Sequence, residues 1–187
     1  MTDQITSREG FIRLALVAPF VGYLRLRGVS VDDAIAQMGL SDAALRDPER
    51  FVHAEVVYGL LNALARVSDD RYLGLHVGEY QDLSQWPPFV GNLAQADTLG
   101  AFWAGHIERV PKEANSVSHH LSVDADGACY EVLRHHEPHE TPEQTVGFAA
   151  GIYARLFQRL CGDLWDGAQV TLESRHLDGV PKGYLGM

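Results

Sequence analysis

Cysteine, basic charge and long apolar runs are all scarce in this chain. Only Cys129 and Cys161 are cysteines among the 187 residues, and no Cys-x-x-Cys pair occurs. No disulfide framework or thiolate metal site is implied; one disulfide, or two buried thiols in a reducing cytoplasm, accounts for the count equally well. Acidic residues outnumber basic ones by 25 to 15, a formal charge of −10. Binding a phosphate backbone needs clustered Lys and Arg, so no direct nucleic-acid contact is expected. The most apolar stretch, Phe11 to Leu26, is interrupted by Arg13, Pro19 and Arg25, and no small-residue cleavage site accompanies it. It reads as a buried helix, neither a signal peptide nor a membrane span, and the protein is expected to be cytoplasmic.

Catalytic patterns are scarce too. There is no Gly-x-Ser-x-Gly, and Gly74-x-x-x-Gly78 lacks the Lys-Ser/Thr that a phosphate loop needs. The carboxylate pairs Asp69-Asp70 and Glu137/Glu140 stand where solvated turns and helix starts put them. No residue set proposes an enzyme, and no cofactor is expected.

What the chain has is the make-up of a folded protein: 46% hydrophobic and 21% charged residues, with length enough for one domain and a substantial core. The first half is helical in pattern. Ser7 can cap a helix carrying Phe11, Leu14, Ala15 and Ala18 to about Gly28, with a kink at Pro19. A second helix starts at Ser30 and closes at Gly39, and a short third begins at Ser41-Asp42. From Ala54 to Val67, the residues Val56, Val57, Leu60, Leu61, Leu64 and Val67 follow amphipathic spacing. Arg71 to Tyr80 continues the pattern, with Gly74 and Gly78 allowing another backbone to approach. Pro88 fits the first turn of a helix through Leu93. Asp97-Thr98 caps one bearing Leu99, Phe102, Trp103, Ile107 and Val110.

The period then changes. Val117, His119, Leu121 and Val123 alternate with Ser118, His120 and Ser122; beyond Asp126-Gly127, Tyr130, Val132 and Arg134 alternate with Cys129, Glu131 and Leu133. Asp-Gly between alternating runs predicts a hairpin. A two-residue loop there sets Val123 opposite Tyr130, Leu121 opposite Val132 and His119 opposite Arg134. Thr141 and Pro142 open the longest helix, to about Leu160, with Val146, Ala149, Ala150, Tyr153, Phe157 and Leu160 inward. Ala168 to His176 alternates as one more strand. The order of elements predicts a helix-rich α+β fold, a helical layer on a small antiparallel sheet.

Three segments together resemble a known family. They are Asp70-Arg71-Tyr72-Leu73-Gly74-Leu75-His76-Val77-Gly78-Glu79, then Phe89-Val90-Gly91-Asn92-Leu93, then Thr98-Leu99-Gly100-Ala101-Phe102-Trp103. Their order is similar to that of the N-terminal effector-binding ("arabinose-binding"-type) domain of AraC-family transcription regulators. Leu156-Phe157-Gln158-Arg159-Leu160-Cys161-Gly162 and Trp165 match as well, so the likeness spans roughly residues 10 to 178. Asp166-Gly167 departs from it, since Arg-Pro is common after that tryptophan. The resemblance implies a single sensor domain over residues 1–187, coupled to a DNA-binding domain or a dimer partner. Members run on into a helix-turn-helix domain, and none is expected within this chain.

Effector recognition would then fall to the hairpin and the aromatics facing it. Alternation places His119 on the apolar face with Val117, Leu121, Val123 and Tyr130, where a polar group needs a partner. It is either a core histidine satisfied by Arg134, glutamates or backbone, or a polar anchor in a mostly apolar pocket. Trp86, Phe89, Phe102, Trp103, Phe148 and Tyr153 are the candidate aromatic wall, and equally candidate core. Of these, His119, Tyr130, Trp86, Phe89, Trp103, Phe148 and Tyr153 form the expected ligand-binding set. Such a pocket suits a hydrophobic acid, an aromatic or an amino-acid derivative; the Asn, Asp and Arg clusters a sugar needs are lacking.

Two alternatives stand beside this one. A ligand-free homodimerisation module would use the run 11–26 as its surface. A metal or haem sensor would use His119, His120, His135, His136 or His139, although neighbours on a strand face opposite ways and cannot share one ion.

Overall fold

A computed structural model describes residues 10–47, 49–167 and 170–186. Eight helices and four short strands make up the regular structure of these residues: β1 (Phe11–Arg13), α1 (Ala18–Leu26), α2 (Asp32–Gln37), α3 (Asp42–Leu45), β2 (Phe51–His53), α4 (Ala54–Val67), α5 (Leu73–Tyr80), α6 (Asn92–Gln95), α7 (Leu99–Arg109), β3 (Val117–Val123), β4 (Ala128–Arg134) and α8 (Glu143–Cys161). The helix-rich α+β class is as expected. The strands, however, form two separate antiparallel ladders, β1–β2 and β3–β4.

The amphipathic pattern read over 54–67 is α4, whose Leu60 and Leu64 are wholly buried at the centre of the main core. Burying such a side chain contributes roughly 1.5–3 kcal/mol. Ser41 caps α3 and Thr98 caps α7, each hydroxyl accepting the backbone N–H three residues on.

The N-terminal run behaves differently. Phe11–Arg13 is a strand because distant partners take its backbone: it pairs with Phe51–His53, Phe11 N–H donates to Asn115 Oδ1 (2.8 Å) and Arg13 N–H to the Glu113 carbonyl (2.7 Å). A 3-10 turn, Leu14–Val17, follows, and α1 begins only at Ala18. Pro19 therefore stands in a first helical turn, where its missing N–H costs nothing, and does not kink a helix. The proposed cap Ser7 lies outside the described residues. Ile12, Leu14, Val17, Phe20, Val21, Tyr23 and Leu24 are all buried, while Leu26 is 75% exposed, so most of the apolar side chains of the run 11–26 belong to the core.

Further local readings change. Val31, not Ser30, precedes α2, without a side-chain cap. Trp86 to Gly91 is a chain of turns, and the helix beyond Pro88 starts only at Asn92, after Gly91 at φ +76°. Thr141 does not cap α8; it accepts hydrogen bonds from the Asn62 side chain instead. Both cysteines are free, Cys129 exposed and Cys161 half-buried.

Glycines set the central helix pair. A Cβ on Gly74 would lie 2.0 Å from the Gln144 carbonyl oxygen, one on Gly78 2.5 Å from that of Phe148, and one on Gly151 2.6 Å from that of Leu75. The backbones of α5 and α8 thus touch, and the spacing of Gly74 and Gly78 is packing. Gln144 ties the pair, accepting from Gly74 N–H (2.8 Å) and donating to the Arg71 carbonyl (3.0 Å). Leu172 and Leu177 lie on this pair's far side with Leu75, Val146, Ala150 and Val180. Among the described residues from 170 to 176 there is no strand. The alternation read there is an extended tail with one side against α5 and α8.

The hairpin forms, with a different register. Leu121 faces Tyr130, His119 faces Val132, Val117 faces Arg134 and Val123 faces Ala128. The loop has four residues, because Asp124 Oδ1 accepts both Asp126 N–H (2.9 Å) and Gly127 N–H (3.1 Å) and so organises a wider turn. A shift of two keeps every side chain on its expected face. It also moves Tyr130 next to His119 on the diagonal.

Candidate functional site

The inner face of the β3–β4 hairpin packs on α7, which in turn meets α8. Thr98 fixes where α7 begins, and its three-four spacing directs Phe102, Trp103 and His106 inward together. Phe102, Trp103 and His106 are 0%, 4% and 2% exposed. Tyr153 arrives from α8, Phe89 from the turn before α6, and His119 and Tyr130 from the hairpin.

These side chains form one aromatic cluster around two imidazoles. The rings of Trp103 and Tyr130 stack with centroids 3.9 Å apart, and Tyr153 meets Trp103 edge-on at 5.1 Å. His106 stacks on Phe102 at 5.8 Å, while Phe89 approaches both, at 5.3 Å and 4.9 Å. His119 Nδ1 bonds the Tyr130 hydroxyl at 2.5 Å, and that hydroxyl also interacts with Tyr153.

Of the expected residues, His119, Tyr130, Phe89, Trp103 and Tyr153 come together here. Trp86 and Phe148 do not join them. They pack on each other (4.8 Å), and Phe148 on Phe20 (5.2 Å), in the adjoining core. His106 was missed, although its place was legible. It follows Trp103 by three residues and precedes Val110 by four, on the apolar stripe of α7.

The polar atoms of this cluster are poorly satisfied. Both ring nitrogens of His106 and Nε2 of His119 are buried with no hydrogen-bond partner, and so is Nε of Arg134. Burial, and then His119 itself, pulls the His106 pKa down to about 4, against a lesser opposing pull from the Pro88 carbonyl, which lies outside hydrogen-bond geometry. Burial, and then His120, lowers His119 to about 4 as well. Both rings are neutral at physiological pH, each presenting one N–H and one bare nitrogen. Burial pushes the phenol of Tyr153 up to about 12 and that of Tyr130 further. The cluster is thus neutral, aromatic and equipped with unused hydrogen-bonding atoms.

Histidines elsewhere do not converge. His120, His135, His136 and His139 are exposed, and among the described residues no three His, Cys, Asp or Glu side chains are placed to hold a metal ion. A separate groove of about 520 Å³ lies between the end of α4 and the start of α8, lined by Asn62, Arg66, Asp69, Asp70, Arg71, Glu140 and Glu143 among others. It is wide open to solvent, and some of its charges are already engaged, Arg71 with Asp178 (3.4 Å) and Asp70 with His76 (2.8 Å). The enclosed aromatic cluster is the stronger candidate. Among the described residues no helix is long and apolar enough to cross a membrane.

The sequence pattern of the arabinose-binding domain at the N-terminus of AraC transcription regulators matches residues 28–180. The chain belongs to this family. A search of curated proteins finds no match.

The segments that carried the resemblance turn out to be architectural. Asp70 accepts the Tyr72 N–H (3.0 Å) in the turn that leads into α5 and holds His76. Gly74 and Gly78 make the α5–α8 contact. Asn92 is buried and donates to the Phe102 carbonyl (2.7 Å), against Gly105. The family pattern positions α7 and α8; the candidate site lies between them and the hairpin.

Proposed function

We propose that this protein is the effector sensor of an AraC-type regulator, and that it binds a small, mostly apolar metabolite at the cluster formed by His106, His119, Tyr130, Trp103, Tyr153 and Phe89. The carrying observation is the set of three buried imidazole nitrogens without partners. A buried polar atom left unpaired costs about 1–3 kcal/mol, and a ligand that supplies the missing bonds recovers that cost. Small-molecule sites have this make-up: apolar walls with a few polar anchors. Binding would separate or reorder α7, α8 and the hairpin, and a coupling of about 1–3 kcal/mol is enough to change a regulator's state severalfold. The family's name points to a sugar, whereas stacked aromatics with two neutral imidazoles favour an apolar body with one polar head. The expected cytoplasmic location and any homodimer belong to this proposal.

The test is a thermal-shift screen with aliphatic and aromatic acids, amino acids, sugars, haem and zinc. A ligand at a hundred times its Kd adds about 2.7 kcal/mol to stability. A saturable shift with one apolar class, lost in His106→Leu, is the expected result. Silence across the panel, with a stable dimer in solution, would favour a ligand-free interaction module.

A further inference from the structure

Arg134 is left over from the site as described. It stands on the inner face of β4 opposite Val117, and so one diagonal step from His119, which faces Val132. Diagonal neighbours in an antiparallel pair lie about 7–8 Å apart, within reach of a long side chain. Arg134 is half-buried, and its Nε is fully covered yet has no hydrogen-bond acceptor. The same is true of His119 Nε2 on the same face. A guanidinium keeps its charge in any protein environment, and covering one of its N–H donors without an acceptor carries a cost.

Among the described residues no carboxylate is ion-paired with Arg134. From α7 the cluster receives Trp103 and His106, from α8 Tyr153, and from the hairpin His119 and Tyr130, none of them acidic. Glu131, next on β4, points to the opposite face. Glu113, just before the hairpin, is engaged with Arg13 at 2.9 Å. The inner face thus presents a cation and imidazole donors at one end of a neutral aromatic enclosure, in a chain of net charge −10.

We propose that the effector carries an anionic head, a carboxylate, held by Arg134 and His119 on the hairpin, with its apolar body against Trp103, Tyr130 and Tyr153. The proposal rests on the reading of the cluster as the effector site. Guanidinium and carboxylate match in shape and charge, and charge-assisted bonds of this kind are about twice as strong as neutral ones.

Matched probes separate this proposal from that reading. Calorimetric titration of the unmodified protein would compare aliphatic monocarboxylates of six to twelve carbons, phenylacetate and phenylbutyrate with their primary amides. The acids should bind about 10- to 100-fold tighter than their amides, the range expected for a charge-assisted hydrogen bond. In Arg134→Gln that preference should collapse to within about threefold. Arg134→Lys should restore most of the preference. Amides that bind as well as acids, with binding lost in His106→Leu, would overturn the anionic head and leave the site standing. No binding by any probe, or binding indifferent to His106→Leu, would overturn both.

Discussion

His106 on α7 and His119 on β3 meet edge to face, with ring centroids 5.8 Å apart and planes at 81°. Neither ring donates to or accepts from the other, and three of their four nitrogens are buried without a partner. Stability alone does not explain such a pair. Leucine at position 106 would fill much of the same space with no polar atom to leave unsatisfied. His106→Leu should therefore raise unfolding stability by about 1 kcal/mol, or roughly 2–4 °C in melting temperature for a chain of this size. It should also abolish ligand-induced shifts. Differential scanning calorimetry with and without a binding carboxylate reads both; a destabilised variant that still responds to ligand would contradict the assignment.

The two imidazoles also set a pH dependence. Their folded-state pKa of about 4 lies below the ordinary 6.5, so the unfolded chain binds protons first as pH falls. Their contribution is complete above about pH 6.5 and is lost progressively towards pH 4. For His106 the full loss corresponds to about 3 kcal/mol, with roughly 2 kcal/mol of it gone by pH 5. His119, less deeply covered, acts in the same direction. Urea unfolding between pH 7.5 and 5 should show this fall, and His106→Leu should flatten it. A wild-type curve with no slope in that window would mean that the histidines are solvated.

The α5–α8 contact predicts opposite outcomes for glycines of one chain. Gly78→Ala and Gly151→Ala would push a methyl group to 2.5 and 2.6 Å from backbone oxygens that cannot step aside. Each should destabilise by more than about 3 kcal/mol, beyond the usual cost of overpacking. Gly22, inside α1 with nothing within 4 Å of an added Cβ, should gain about 0.5–1 kcal/mol on replacement by alanine. Chemical unfolding of the three variants checks the contrast.

A smaller test concerns Asp69, which closes α4 at φ +51° where glycine is the usual residue. Its neighbour Asp70 donates its N–H to the Ala65 carbonyl at 3.1 Å, completing the motif that ends the helix. Asp69→Gly should raise stability by several tenths of a kcal/mol, because an aspartate tolerates this conformation at some cost. A loss of stability would show that the Asp69 side chain makes a contribution of its own.

How much of this was legible in the sequence follows from which interactions are local. α4 emerged as Ala54–Val67, and the Ser41 and Thr98 caps and the role of Gly74 and Gly78 were readable, because each depends on spacing within one helix. Phe11–Arg13 was misread as helix because its backbone partners, β2 and the stretch Glu113–Asn115, are remote in the chain. The hairpin was legible but its register was not: the Asp126-Gly127 signal yielded to Asp124, whose side chain organises a wider loop. The tail from 170 shows strand-like alternation because it lies along one apolar surface. His119, Tyr130, Trp103, Phe89 and Tyr153 could be named from face and period. His106 sat on the same apolar stripe as Trp103 and Val110, but was not read as part of it.

The central claim, that the paired imidazoles are where effector binds, is met most directly by the ring resonances of His106 and His119 in nuclear magnetic resonance. Protein with labelled histidines would be titrated with octanoate and phenylacetate at pH 7, with single variants to assign each ring. Both rings should move along saturable curves that share one Kd, while those of the exposed His120 and His136 stay still. Saturable binding that leaves His106 and His119 unmoved would place the effector elsewhere and contradict the assignment.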